Sequence, residues 1–447
     1  MAACRVKEKP KVLPVDLSAI IPEKEGTMRK MEDVIYLNNA PHHEEPDNIY
    51  FVQVDPTKCQ GCGECEEHCA TGAIQSINEE GIHQVLSPSA CMNCGQCLAN
   101  CPYGAIYEGV SFVDEVFEKL RDPETVVVSM PAPAVRYALG ECFGYSPGTY
   151  VGGKMHAALR KLGFDYIWDN EFAADLTIME EGTELIERIK HPSKDKPLPQ
   201  FTSCCPGWVK FCESFYPDLL PYLSTCKSPI GMLSALAKTY GAHQTHTPGQ
   251  KIYTVSIMPC IAKKYEGLRP EMADSGFRDI DATINTRELA YMIKKAGIDF
   301  RSLPSQDPDP VLGMSTGAAT IFGTSGGVME AALRLAYEVL SGQKLTKPDI
   351  KIVRTHEGIK AADIKIPKFG TIKVAVASGL KNAAKLCEEV RAGKSPYHFI
   401  EIMACPGGCV NGGGQPLDPS IREEASLFKR MIAKINKRYK GRKPTIS

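Results

Sequence analysis

The sequence predicts a small α+β unit rich in cysteine, followed by a large α/β domain in which helices flank parallel sheets. Three observations predict this organisation. A cysteine-rich segment at 59–74 is repeated at 91–106. Beyond about residue 116, short β-branched runs alternate with helical stretches, which is typical of parallel α/β structure. Three further cysteine motifs begin where such runs stop.

The composition excludes several classes of protein. The 447 residues carry a formal net charge of −1, so we expect neither nucleic acid nor an acidic membrane surface as a partner. No apolar run approaches the ~20 residues that span a bilayer, and the N-terminus lacks the apolar segment of a secretion signal, which predicts a cytoplasmic protein. The 18 cysteines of a large intracellular chain indicate metal ligation before disulfides.

Three regions follow one another along the chain. Residues 1–48 are polar and interrupted by proline, which predicts an N-terminal extension with little core of its own. Residues 49–115 hold the two repeats, CQGCGECEEHCATGAI and CMNCGQCLANCPYGAI, with hairpin-like alternation between them. Residues 116–447 form the predicted α/β domain.

Each repeat has the spacing C-x2-C-x2-C-x3-C, which suits a 4Fe–4S cluster in a unit like bacterial ferredoxin. In two-cluster ferredoxins the fourth cysteine of each run binds the other cluster. We therefore assign one cluster to Cys59, Cys62, Cys65 and Cys101, and the other to Cys91, Cys94, Cys97 and Cys69. A pair of zinc knuckles is the alternative, and the duplicated pattern of eight cysteines counts against it. Two neighbouring clusters would relay electrons to a site deeper in the chain.

The large domain has predicted strands at 125–130, 201–203, 252–258, 371–378 and 399–403. Helices are predicted around 155–162, 207–216, 287–297 and 326–340, and surface loops at 191–199 and 303–310. Open α/β folds bind ligands at the carboxyl ends of their strands. The three cysteine motifs at those ends therefore predict one shared site.

Four thiolates can be gathered at that site: Cys205, Cys260, Cys405 and Cys409. A closed set of four thiolates indicates zinc or an iron–sulfur cluster, and the neighbouring electron relay favours iron–sulfur. Glycines between 407 and 414 would permit a bulky group to approach the backbone. Cys204 is left over beside a ligand, and this spare thiol favours catalysis over simple electron relay.

These motifs resemble a known enzyme family. TSCCPGW (202–208), MPCIAKKYE (258–266) and MACPGGCVNGGGQP (403–416) are similar, in order, to the three H-cluster motifs of the FeFe hydrogenases, and the resemblance spans roughly residues 50–416. It implies that the four thiolates hold a 4Fe–4S cube, the third in the chain. It also implies that Cys409 bridges to a two-iron unit with CO, cyanide and azadithiolate. The implied reaction is 2H⁺ + 2e⁻ ⇌ H₂, with heterolytic cleavage of H₂.

The same resemblance implies roles for individual residues around the two-iron unit. Cys204 would be the proton donor that faces the bridge amine, because neighbouring charge can move the pKa of a thiol toward neutrality. Lys263 would donate to a cyanide and offset its negative charge. Matching positions also line or cover the two-iron pocket: Met258, Met403, Phe322, Ala132 and Pro133.

A proton path is implied beyond Cys204. Family members use two glutamates, a serine and an arginine, which correspond here to Glu181, Glu184, Ser224 and Arg188. Helical spacing supports this independently, because residues 181, 184 and 188 share one face while 180 and 187 point elsewhere. A solvated charged face is the alternative interpretation.

The resemblance also implies an electron carrier, ferredoxin or a similar protein. Only about 31 residues follow GGGQP, fewer than in the single-chain members of the family, and this short tail is compatible with a separate small subunit. The basic segment 429–443 is either a solvated helix face or a surface that attracts an acidic ferredoxin. Ile230 and Ala134 stand where some members carry Gln and Ser, which would remove hydrogen bonds from the pocket. No ligand spacing surrounds the remaining thiols, which we expect only to pack: Cys4, Cys142, Cys212, Cys226 and Cys387.

Two rival functions remain open within this resemblance. An iron–sulfur assembly protein would keep the cluster cysteines but degrade the two-iron pocket, and Cys204, Lys263 and Met258 count against it. A hydrogen sensor would tend to lose the proton-relay cysteine and to carry a signalling domain.

Overall fold

The computed structural model describes residues 45–343 and 358–416. The predicted extension 1–48 lies mostly, and the basic segment 429–443 entirely, outside the described residues. No helix of the described part is long and apolar enough to cross a bilayer.

The cysteine-rich unit is the small α+β fold that its repeats predict. Its elements are β1 (Val52–Val54), α1 (Glu64–Glu67), β2 (Ile74–Ser76), β3 (His83–Val85), α2 (Gln96–Asn100) and β4 (Ile106–Glu108). Strands β1 and β4 pair antiparallel, and so do β2 and β3, so the hairpin predicted between the repeats is confirmed. Each short helix begins directly after a glycine with positive φ, Gly63 and Gly95, at equivalent places in the two repeats.

The large domain alternates strands and helices. Its strands are β5 (Val126–Pro131), β6 (Tyr166–Ile167), β7 (Gln200–Phe201), β8 (Ile252–Met258), β9 (Ala282–Asn285), β10 (Gly358–Ile366), β11 (Gly370–Ser378) and β12 (Phe399–Met403). Its helices are α3 (Val113–Arg121), α4 (Val135–Ala138), α5 (Gly152–Leu162), α6 (Asn170–Lys190), α7 (Pro206–Phe215), α8 (Pro229–Leu236), α9 (Ala242–Thr245), α10 (Ala262–Leu268), α11 (Thr286–Lys295), α12 (Gly317–Thr320), α13 (Gly327–Ser341) and α14 (Leu380–Arg391). The predicted strands and helices are all present, and the predicted loops contain no regular element.

Two four-stranded sheets form the domain. The first has the order β6-β5-β8-β9 and is parallel throughout. The second has the order β10-β11-β12-β7, in which β12 is parallel to both of its neighbours. The predicted parallel sheets are therefore confirmed, with one addition: the edge strand β10, which the sequence analysis did not predict, pairs antiparallel with β11. Only residues 367–369 join these two strands, and so short a connection can make only a hairpin.

The apolar core explains why the two units pack as one body. A single buried cluster runs from Phe51, Ile74 and Leu98 of the cysteine-rich unit to Val127 and Val255 of the first sheet. The small unit therefore shares its core with the catalytic part of the chain, and its position relative to the two sheets is fixed by packing.

Candidate active site

A cavity lies where β7 and β12 of one sheet and β8 of the other end. Each of these strands stops two or three residues before the first cysteine of one of the predicted motifs. The cavity is lined by all five cysteines that the motifs contribute: Cys204, Cys205, Cys260, Cys405 and Cys409. The predicted convergence of three distant loops is therefore present in the fold.

Local structure orients these thiols. Cys205 is the residue before α7, whose first position is Pro206, and its sulfur accepts the Ala404 N–H at 3.4 Å. Cys409 begins a short 3₁₀ turn that ends at Asn411. Proline suits the first position of a helix, because the N–H that it lacks would have no partner there. Helix α7 can therefore begin directly after Cys205.

Two of the glycines in the last motif are required by close backbone contacts. A Cβ on Gly413 would lie 2.6 Å from the Cys94 carbonyl oxygen, and one on Gly408 would lie 2.4 Å from the Ser325 nitrogen. Gly408 also has a positive φ of 96°. The sequence led us to expect room for a bulky group, whereas these two glycines admit other backbone segments.

The thiols are the kind of donor set that an iron–sulfur cube requires. Burial, followed by the charge of Cys205, raises the pKa of Cys260 to about 12, and burial also raises the pKa of Cys205 and Cys405. Thiolates crowded in a buried pocket repel one another, so their ionised form needs a cation to compensate. Soft sulfur ligands select zinc, copper(I) or iron–sulfur clusters, and the residues present therefore fit the implied cube.

The side chains expected around a two-iron unit all line this cavity. They are Ala132, Pro133, Met258, Phe322 and Met403. Met258 and Met403 are each 2% exposed, so the lining excludes water effectively. Ile230 and Ala134 also line the cavity, where their side chains contribute no polar atom.

Lys263 lies in the same cavity with its ammonium already engaged. Its Nζ donates to the Cys204 carbonyl oxygen at 3.2 Å and to Glu266 Oε2 at 2.5 Å. Burial alone would lower the pKa of Lys263, but the Glu266 carboxylate raises it above its usual value. The side chain therefore stays cationic next to the thiols.

The Cys204 thiol is buried beside anionic groups. Burial, followed by the carboxylate of Glu181, raises its pKa well above its usual value. In this environment Cys204 carries its proton.

Polar groups on and beside α6 begin near Cys204 with Glu181, whose charge acts on the thiol. Glu181 is 1% exposed, and burial, partly opposed by the Ser224 hydroxyl, raises its pKa to about 8. The Ser224 hydroxyl donates to Glu184 Oε2 at 3.2 Å, and Arg188 Nη2 donates to Glu184 Oε1 at 2.7 Å. Burial would raise the pKa of Glu184, but the Arg188 hydrogen bond lowers it below its usual value. The four residues expected in a proton path thus form one connected group.

The eight cysteines of the repeats separate into two groups that cross between the repeats. A second, smaller cavity is lined by Cys59, Cys62, Cys65 and Cys101. Cys69 lies close enough to raise the pKa of Cys91 and Cys94 by its charge, although burial is the larger cause. Among the described residues, no three or more His, Cys, Asp or Glu side chains are arranged to hold a metal ion.

The second of these groups reaches the main cavity. Cys94 lines that cavity, and the Cys405 sulfur lies 3.9 Å from the Cys94 carbonyl oxygen. Cys62 of the other group is exposed on the surface. The two groups therefore connect the protein surface to the buried thiols.

Sequence reasoning missed three features of this site. Asn170 lines the cavity, although nothing in its local sequence marks it as functional. Arg287 donates to the carbonyl oxygens of Gly413 and Gln415 and so holds the last cysteine loop. Glu401 accepts the N–H groups of Gly326 and Met329 beside the cavity, and an acidic residue within the apolar run FIEIM was a signal that could have identified it.

Comparison with protein families matches both parts of the chain. Residues 125–413 match the model described as iron only hydrogenase large subunit, C-terminal domain. Residues 58–105 match the model described as a 4Fe-4S dicluster domain.

Curated relatives and solved structures agree with these matches. The periplasmic [Fe] hydrogenase large subunit of Nitratidesulfovibrio vulgaris is 59% identical over 395 residues, which is 88% of this chain and 93% of that protein. Iron hydrogenase 1 of Clostridium pasteurianum is 44% identical over 389 residues, 85% of this chain and 67% of that protein. The cytosolic iron-sulfur assembly component 3 of Bos taurus is 31% identical over 312 residues, 67% of this chain and 64% of that protein. An apo FeFe hydrogenase variant from Chlamydomonas reinhardtii has a TM-score of 0.63 and 40% identity, covering 73% of this chain and 88% of its own.

Proposed function

The chain belongs to the FeFe hydrogenase family, and from this we propose that it catalyses 2H⁺ + 2e⁻ ⇌ H₂ with Cys204 as proton relay and a ferredoxin-like carrier as electron partner. As a member it is an iron–sulfur oxidoreductase that works at an H-cluster. The observation that carries the proposal is the single cavity in which five thiols and Lys263 meet.

We propose that the H-cluster cube is held by Cys205, Cys260, Cys405 and Cys409, and that Cys409 bridges to the two-iron unit with CO, cyanide and azadithiolate. The bound cluster supplies the place where two protons and two electrons combine to form H₂. The methionines, Phe322, Ala132 and Pro133 exclude water from this place, which strengthens every charge interaction inside it. Lys263 offsets the negative charge of a cyanide.

The protons would pass through Cys204, Glu181, Ser224 and Glu184, and Arg188 would hold the Glu184 carboxylate in place. Burial supports this order, because Glu181 is fully enclosed while Glu184 is half-buried and near the exposed Lys196, 3.7 Å away. A carboxyl with a pKa of about 8 exchanges protons readily near neutral pH. The Ser224 hydroxyl can accept and donate within one chain of hydrogen bonds.

Electrons would enter at the cluster of Cys59, Cys62, Cys65 and Cys101, continue to that of Cys91, Cys94, Cys97 and Cys69, and reach the cube. The exposure of Cys62 supports the first place in this order, and the contact of Cys94 with the main cavity supports the second. With the cube these make three 4Fe–4S clusters.

The surface around Cys62 bears on the choice of carrier. Glu66, Glu67, Glu79 and Glu80 are exposed in this unit, and the Glu80 backbone passes close to Gly61, where an added Cβ would lie 3.0 Å from the Glu80 carbonyl oxygen. A ferredoxin or other carrier would therefore have to present a basic face, because an acidic face would be repelled. We expect the electron-transfer rate with the true carrier to fall as salt is added, whereas turnover with a small uncharged dye stays constant. A rate that rises with salt would contradict docking at this surface.

We propose two further features. A separate small subunit is supported by the relative that is named a large subunit. The second is a cytoplasmic location, whereas that same relative is named periplasmic. Cell fractionation with activity staining would distinguish the two compartments, and affinity purification of the whole chain would recover a small subunit.

H₂/D⁺ exchange by protein matured with the two-iron cofactor tests the proposal directly. A hydrogenase produces HD and H₂ from D₂ without any electron carrier, whereas an assembly protein of the kind found at 31% identity produces none. Absence of exchange from fully matured protein would overturn the proposed function.

A further inference from the structure

The main cavity contains few polar side chains. Among the described residues that line it, only Asn170 and Lys263 have a side-chain nitrogen or oxygen atom. Lys263 is engaged with the Cys204 carbonyl oxygen and Glu266. Asn170 is therefore the polar group of the lining that is still available to whatever fills the cavity.

The Asn170 amide has no partner of its own. The residue is 5% exposed, its Oδ1 is buried without a hydrogen bond, and no described residue bonds its Nδ2. Leaving a buried amide unsatisfied costs about 1–3 kcal/mol. A buried polar side-chain atom without a partner calls for a specific explanation, such as a functional role. Because neither end of the amide is bonded to a described residue, the NH₂ can face the cavity as readily as the oxygen.

The fold holds Asn170 rigidly at this place. It is the first residue of the 21-residue helix α6, and the Asp169 side chain before it caps Glu171 N at 3.0 Å. The buried Arg136 binds Asp169 at 2.7 Å and lies 3.4 Å from Glu171, so it holds the backbone on both sides of Asn170. Arg136 also donates to Pro131 O, next to the Ala132 and Pro133 loop. The amide is thus fixed relative to that loop.

We propose that the Asn170 side chain donates an N–H to an anionic cyanide of the two-iron unit, as a positioning residue additional to Lys263; this inference rests on the proposed function. A helix N-terminus carries partial positive charge and favours anions. An apolar cavity strengthens a hydrogen bond to a charged acceptor, because no water competes. The contact would hold the two-iron unit in one orientation.

Infrared spectra of matured protein test this contact, because a hydrogen bond to the cyanide nitrogen raises its stretching frequency. Asn170→Ala removes the donor, and Asn170→Asp keeps the size but replaces the NH₂ with a carboxylate oxygen. We expect at least one cyanide band to move to lower wavenumber in both variants. If Asn170→Ala fails to take up the cofactor, Asn170→Ser replaces it. Serine keeps a donor, so the shift of its cyanide band should be smaller than that of the Asp variant.

Thr177→Val is the matched control, because Thr177 is buried on the same helix but does not line the cavity. We expect wild-type bands from it. Wild-type cyanide bands in Asn170→Ala would overturn the inference. Wild-type bands in Asn170→Asp, together with shifted bands in Asn170→Ala, would also overturn it, because Asn170 would then act as an acceptor. Absence of CO and cyanide bands from the matured wild-type protein would instead contradict the proposed function, so the two failures are distinguishable.

Discussion

Cys204 and Cys205 are adjacent residues with different proposed roles. Both line the cavity. Cys205 lies at the start of α7, and its sulfur accepts the Ala404 N–H. The Cys204 thiol instead lies near the Glu181 carboxylate, which acts on its pKa more strongly than any other charge. The Cys204 thiol holds its proton and can donate it, and the Glu181 carboxyl can then return a proton to the thiolate. The reversible reaction requires transfer in both directions.

Replacing Cys204 with alanine should remove this transfer and leave the metal site intact. We expect the CO and cyanide infrared bands of Cys204→Ala to remain while turnover falls by about 100-fold or more, the usual contribution of a positioned acid–base group. Cys142→Ala is the control, since Cys142 is absent from the cavity lining. Normal turnover in Cys204→Ala would refute the relay assignment.

Glu181 should set a pH dependence. Its pKa of about 8 means that the protonated form, which would deliver protons for H₂ production, is depleted as pH rises through that value. H₂ production should therefore decline above about pH 8, while H₂ oxidation, which needs the carboxylate, should gain. Glu181→Gln should cost about 100-fold or more in both directions and remove this titration.

Glu180→Gln, on the exposed face of the same helix, is the control and should keep the wild-type pH profile. Electrode measurements of both directions across pH would provide the test. A Glu181→Gln variant that retains the wild-type pH profile would contradict the assignment.

Helix α6 shows how much of an element the sequence can predict. The spacing placed 181, 184 and 188 on one face, and the structure confirms that Glu181 and Arg188 are buried while Glu180 and Glu187 are exposed. The period of 3.6 residues is local information, so it can be obtained from sequence. The availability of Asn170 depends on residues from other elements, and no local pattern encodes it.

Strand β12 and helix α13 are joined by a buried carboxylate. Both oxygens of Glu401 accept N–H groups at the start of α13, each at 2.6 Å, from Gly326 and Met329. The negative charge also suits the helix N-terminus. Because α13 follows the Phe322 loop that lines the cavity, this contact fixes one wall of the site.

Glu401→Gln should weaken that junction without removing any cavity-lining group. We expect the free energy of unfolding to fall by about 1.5–3 kcal/mol, the range for hydrogen bonds to a charged group. Urea titration of the loaded protein would measure it. Glu388→Gln, at an exposed position of α14, should change stability very little, and an equal loss in both variants would contradict the capping role.

At the scale of the whole molecule, a buried charge cluster ties the cysteine-rich unit to the catalytic domain. Lys264 Nζ lies 2.8 Å from both Glu108 of β4 and Glu288 of α11, and Arg287 binds Glu108 as well as the Gly413 carbonyl oxygen. The cluster therefore links the electron relay to the last cysteine loop. Glu108 and Lys264 are more than 150 residues apart in the chain, so sequence spacing could not have revealed this cluster.

Removing one cation from this cluster should be severe. Burial alone would lower the pKa of Lys264, but Glu108 and Glu288 raise it, so the side chain is charged in the folded state. Lys264→Met would leave two carboxylates facing a single arginine, and breaking a buried pair in this way typically costs about 3–5 kcal/mol. Lys295→Met is the control, because the Lys295 side chain is partly exposed and its Nζ lies as far as 3.9 Å from the Asp114 carboxylate.

Restoring the charge balance should recover much of the loss. In Lys264→Met combined with Glu288→Gln, one positive and one negative charge disappear together, so the remaining Glu108 and Arg287 stay paired. We expect the double variant to be more stable than Lys264→Met in urea titrations, with loss of iron–sulfur absorbance as a second probe. Additive destabilisation would mean that packing of the lysine stem, and not charge compensation, holds the two units together.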